Sequence, residues 1–148
     1  MKTKLLIPAL TVLCFISCGK DNLTTKPQLK LENVNATTFP KGSQMVFTLT
    51  GTDKEGDIKD TLWVQRRSLV CPSLRSDSGI AYLLPDFPRN NGIDSKFVVT
   101  YNYGVSVPPI LDGCTGLDDS SYFRFWIKDE QNNVSDTVQS PVLVLLNQ

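Results

Sequence analysis

Residues 122–128 read Tyr122-Phe123-Arg124-Phe125-Trp126-Ile127-Lys128, and they decide the fold class. Phe123, Phe125 and Ile127 alternate with Tyr122, Arg124, Trp126 and Lys128. Side chains of a β-strand point to opposite faces in turn, so this period of two marks a strand buried on one side. The pattern recurs upstream. Met45, Phe47 and Leu49 alternate with Val46, Thr48 and Thr50, and Phe97, Val99, Tyr101 and Tyr103 alternate with Lys96, Thr100 and Asn102, with Val98 alone out of phase. Further strands are predicted over 29–34, 61–67, 80–84 and 142–146. The last is apolar on both faces, and Pro141 suits a strand start. No segment after the N-terminal run carries a helical stripe. About seven short strands separated by Gly, Pro, Asn and Asp turns predict an all-β fold, an antiparallel β-sandwich over 29–148.

Composition narrows the function. The 148 residues suffice for one domain with a real core. Lys+Arg and Asp+Glu balance at 15 each, so no basic excess points to a nucleic-acid partner. Histidine is absent, which removes the commonest general base and transition-metal ligand and excludes a His-based triad or zinc site. Chemistry by carboxylates, Ser/Lys pairs or cysteine remains open.

The N-terminus is a separate unit. Lys2 and Lys4 precede the uncharged run Leu5–Ile16, "LLIPALTVLCFI". Twelve helical residues span roughly 18 Å, short of a hydrocarbon core of ~30 Å. A basic start, a short apolar run and a small residue before the break describe a secretory signal over residues 1–17. Phe15-Ile16-Ser17-Cys18 resembles a bacterial lipobox, with Phe15 where leucine is usual. The resemblance implies cleavage before Cys18 and lipid attachment there, a firm membrane anchor. "CGKDN" (18–22) resembles the start of Bacteroidetes lipoproteins, where a lysine followed by acidic residues favours export to the cell surface. The implied location is the outer membrane, on its outer or its periplasmic side. Residues 18–28 then read as a flexible tether.

Cysteine pairing follows from that processing. Cys14 leaves with the signal and Cys18 carries lipid, so Cys71 and Cys114 remain as a pair in an oxidising compartment. A disulfide between them would close 42 intervening residues and contribute about 4 kcal/mol in the chain-entropy view.

Two stretches resemble immunoglobulin-like and cadherin-like modules: "TLTGTDKEGDIKDTLWVQ" (48–65), as a strand, acidic loop and strand, and "FRFWIKDEQNNVSDTV" (123–138), as a closing hairpin. The resemblance implies an immunoglobulin-like sandwich. Cys71 and Cys114 fall outside the predicted strands, so they are expected to staple two loops.

Candidate site residues are few. Asp53, Glu55, Asp57 and Asp60 crowd one turn and offer hard oxygens to calcium, or form a solvated turn held by Gly56. Trp126 is in phase with Arg124 and Lys128, on an outer face where it could bind a ligand such as a glycan or pack between strands. The loop 104–121 is long and acidic through Asp112, Asp118 and Asp119. Asp60-Thr61-Leu62 and Asp136-Thr137-Val138 resemble the O-glycosylation motif of Bacteroidetes exported proteins, with Thr61 and Thr137 as acceptors. The expected function is a lipid-anchored, non-catalytic binding or accessory module of the cell envelope. Its rivals are a structural subunit docked to a larger outer-membrane complex and a small carboxylate-dependent hydrolase.

Overall fold

The computed structural model describes residues 25–58, 61–75, 78–84 and 95–148. The signal segment, Cys18 and Asp60 lie outside the described residues. Two sheets face one another. The first takes β1 (Gln28–Val34), β3 (Gln44–Thr52), β6 (Ser95–Tyr103) and β7 (Ile110–Leu111) in that order. The second runs β2 (Thr38–Phe39), β10 (Leu143–Leu145), β8 (Asp119–Lys128), β4 (Thr61–Ser68) and β5 (Ile80–Leu83), and β9 (Val138–Gln139) also pairs with β8. The orders β1-β3-β6 and β10-β8-β4-β5 match the A-B-E and G-F-C-C′ arrangement of an immunoglobulin sandwich. Pairing is antiparallel except for β2 with β10 and β6 with β7.

The core follows from the alternation. Along β3 and β8 every second residue is buried. Phe47 meets Phe123 and Phe125 across the sheets, with ring centroids 4.9 and 5.1 Å apart. Gly51 has no substitute here, because a Cβ would stand 2.6 Å from the Phe97 ring.

Among the described residues there are ten strands where about seven were expected. The additions, β2, β7 and β9, are two residues long, too short for any period to register. The predicted strand 142–146 is the second half of a broken one, since β9 and β10 both lie on β8 with Ser140-Pro141 between them. Pro141 has no N–H to give, and Ser140 takes over: its N–H donates to Phe123 O and its Oγ accepts from Phe123 N. Ser135 treats Ile127 the same way. Residues 25–28, read from sequence as the end of a tether, belong to the sandwich. Pro27 is buried, β1 begins at Gln28, and Lys26 pairs with Asp136 at 2.6 Å. Cys71 and Cys114 form a disulfide with Cα atoms 6.0 Å apart, between a turn after β4 and the segment after β7. No helix among the described residues is long and apolar enough to cross a membrane.

Candidate functional site

The outer face of the second sheet presents cross-strand pairs set by the β4–β8 register: Trp63 with Trp126, Gln65 with Arg124, Arg67 with Tyr122. Trp63 and Trp126 are half-buried, their rings parallel to within 2° at a centroid distance of 5.9 Å. Both readings of Trp126 thus meet: it packs between strands and stays on the outer face. Arg124 Nη1 donates to Gln65 Oε1. Gly79, at φ +76°, lies beneath the Trp126 ring, where a Cβ would come within 3.0 Å of Cη2. Of the aromatic residues that the sequence offers as a platform for sugars, Trp63, Trp126 and Tyr122 are half-buried on this face, whereas Tyr101 and Tyr103 are buried in the core.

A different chemistry occupies one end of the sandwich. Asp53 follows β3, Asp57 precedes β4 and Asp129 follows β8. They are 2%, 5% and 1% exposed, and one carboxylate oxygen from each lies within 4.8 Å of the others. Asp53 Oδ2 accepts from the backbone N–H of Glu55 and Asp57, at 3.2 and 3.3 Å. Asp57 Oδ2 accepts from Gln131 Nε2, and both oxygens of Asp129 accept from Asn133, through its backbone N–H and its Nδ2. Asp53 Oδ1, Asp57 Oδ1 and Glu55 Oε2 are buried without a hydrogen-bond partner. Burial, with the Asp57 carboxyl alongside, pushes Asp53 up to about 6.

The predicted set is therefore corrected. Asp53 and Asp57 converge, but with Asp129 rather than Glu55, and Asp60 lies outside the described residues. Nor is this a solvated turn, for Gly56 (φ +68°) folds it so that Asp53 and Asp57 point inward. Asp129 was missed, though it continues the inward phase of Phe123, Phe125 and Ile127.

The predicted acidic loop 104–121 also changes character. Asp119 begins β8 with no exposed surface and accepts from Arg66 Nη2, Ser68 Oγ and Ser121 Oγ at 2.5–2.6 Å. Arg66 Nη1 also donates to Asp112 O, and Ser68 Oγ accepts from Cys71 N, which ties this network to the disulfide. Of the two glycan candidates, Thr137 is exposed, whereas Thr61 is 7% exposed, leaving no room for a glycan on the folded domain.

No protein-family model matches the chain, and no curated protein matches it. Among solved structures, it is similar to the sporulation control protein Spo0M from Bacillus subtilis, with a TM-score of 0.51 and 9% identity over 83% of this chain and 50% of that one. The chain thus spans half the length of that protein. A Niemann-Pick type C2 protein from Japanese carpenter ant gives a TM-score of 0.40 at 9% identity, covering 81% of this chain and 92% of its own. Likeness at this identity concerns the β-sandwich fold alone.

Proposed function

We propose that this chain is a lipid-anchored, non-catalytic binding module of the bacterial cell envelope, with a glycan as its ligand class. The observation that carries it is the Trp63–Trp126 pair beside Arg124 on the outer face of β4 and β8. Half-buried rings offer an apolar surface to a sugar ring, and Arg124 and Lys128, half-buried on the same face of β8, supply hydrogen-bonding groups beside it. The lipobox-like residues before Cys18 support the anchor, and the Cys71–Cys114 disulfide fits an extracytoplasmic domain. The converging carboxylates weigh against a hydrolase, because their burial leaves no path for a substrate between them.

The rival reading, a subunit docked to a larger outer-membrane complex, is favoured by a different feature. A groove of about 540 Å³ opens between β5 and β6, lined by Leu62, Leu83, Leu84, Phe97, Val98 and Val99. Leu83 is 85% exposed and Val98 60%. Tryptophan fluorescence titrated with envelope polysaccharides separates the two. Saturable quenching that is lost at least tenfold in Trp126→Ala supports glycan capture. Binding unaffected by Trp126→Ala, or absent from the wild type, rejects it.

A further inference from the structure

We propose that the end of the sandwich where the β3–β4 and β8–β9 turns meet is a calcium site, ligated by Asp53, Asp57 and Asp129. The two turns come from distant parts of the chain and from both sheets, since β3 belongs to the first sheet and β4, β8 and β9 to the second. Nothing in local chain geometry requires three carboxylates to meet there. They nevertheless meet at 5% exposure or less.

The hydrogen bonding of the cluster is half finished in a telling way. Neutral amides donate to these carboxylates: the backbone of Glu55 and Asp57, the Gln131 side chain, and the backbone and side chain of Asn133. Amides orient the oxygens, as outer partners of metal ligands do, but they bring no positive charge. The ion pairs Lys26–Asp136, Lys30–Glu32 and Arg66–Asp119 include none of the three aspartates. Asp53 Oδ1 and Asp57 Oδ1 are left with no hydrogen-bond partner although water cannot reach them. Carboxylates crowded together under burial and buried acceptors without a donor are each costly, and here they coincide at one point. A cation at that point answers both.

The donor set selects the ion. All ligating atoms are carboxylate oxygens, which suit a hard cation; no nitrogen or sulfur is present to favour zinc or copper. One oxygen from each aspartate lies within 4.8 Å of the others, close enough for all three to reach one ion at calcium–oxygen distances of ~2.4 Å. Three carboxylates can give up to six oxygens, within calcium's tolerant coordination. Magnesium demands a tight octahedron and keeps several waters, which a cluster this buried does not accommodate. The bound ion would clamp the two turns, which already touch where Glu130 N donates to Asp57 O at 3.4 Å.

The test uses the full chain, purified in detergent and stripped with chelator. It is titrated with calcium chloride and, in parallel, with magnesium chloride, by calorimetry and by thermal melting. Calcium is expected to bind one per chain, with a dissociation constant no weaker than the ~1 mM limit of extracellular modules, and to raise the melting temperature by several degrees. Asp129→Asn should weaken calcium binding at least tenfold, yet melt in chelator no lower than the wild type, because one uncompensated charge is gone. Should that variant fail to fold, Asp53→Asn makes the same comparison. A wild type that takes up no calcium and melts identically with calcium and with chelator overturns the site. Equal responses to magnesium overturn the choice of ion, and undiminished binding by a folded Asp→Asn variant overturns the ligand set.

Discussion

Asp119 is fully buried and carries a charge, an arrangement that survives only with strong partners. Burial alone would raise its pKa. Hydrogen bonds from Ser121 and Ser68, and the hydrogen bond and charge of Arg66, outweigh that and hold the carboxyl below its ordinary range. A lowered folded-state value means that Asp119 stabilises the fold above the unfolded pKa of about 3.9 and loses that contribution as pH falls through the folded value. Asp119→Asn should therefore destabilise the domain at neutral pH by about 3–5 kcal/mol, the usual effect of leaving a buried partner uncompensated. It should also flatten the loss of stability as pH falls below the unfolded value. Denaturant unfolding across that range measures both, and equal acid sensitivity in wild type and variant would contradict this role. Part of the arrangement was legible. Asp119 and Asp129 stand at the two ends of the inward phase of β8, so the alternation that located Phe123 and Phe125 also pointed both aspartates inward. Their partners were not legible, because Arg66 and Asn133 are ordinary residues until the chain places them.

At the scale of elements, the long alternating strands were readable and the short ones were not. Strands β3, β6 and β8 carry nine, nine and ten residues, enough to display a period. β2, β7 and β9 exist through backbone pairing to a neighbour, which composition does not encode. The division of β9 from β10 depends on Ser140, whose side chain accepts the hydrogen bond that a strand carbonyl would have taken. The disulfide is an element-level fastener, expected once Cys14 is assigned to the signal and Cys18 to the lipid. It ties the 3₁₀ turn after β4 (Pro72–Leu74) to the segment between β7 and β8, across a sequence separation of 43. Reduction, or replacement of both cysteines by alanine, is expected to cost about 4 kcal/mol, read as a lower midpoint in denaturant with a steeper slope, because the unlinked unfolded chain exposes more surface. An unchanged midpoint would mean that the loop is held without the bond.

The whole molecule has two unlike ends. One holds Asp53, Asp57 and Asp129, and it is also where the chain enters: Lys26 pairs with Asp136, and Asn133 Nδ2 donates to Thr25 O. The other holds the Arg66–Asp119 network, the disulfide and the C-terminal segment, where Lys41 Nζ donates to Asn147. Six residues lie between Cys18 and Thr25, and the seven steps from one to the other reach at most about 25 Å when fully extended. On the proposed anchor, the acidic end is the end joined to the tether. The fold class was legible because one long amphipathic strand constrains a small domain strongly. The site was less so, since a cluster built from two turns of different sheets has no local signature. The central claim, an envelope module held by lipid at Cys18, is tested most directly by the intact mass of the chain recovered from the membranes of a lipoprotein-processing bacterium. The account predicts a chain beginning at Cys18 and carrying a diacylglyceryl group with a further acyl chain. A chain that keeps residues 1–17, or one that begins at Cys18 with a free thiol, would contradict it.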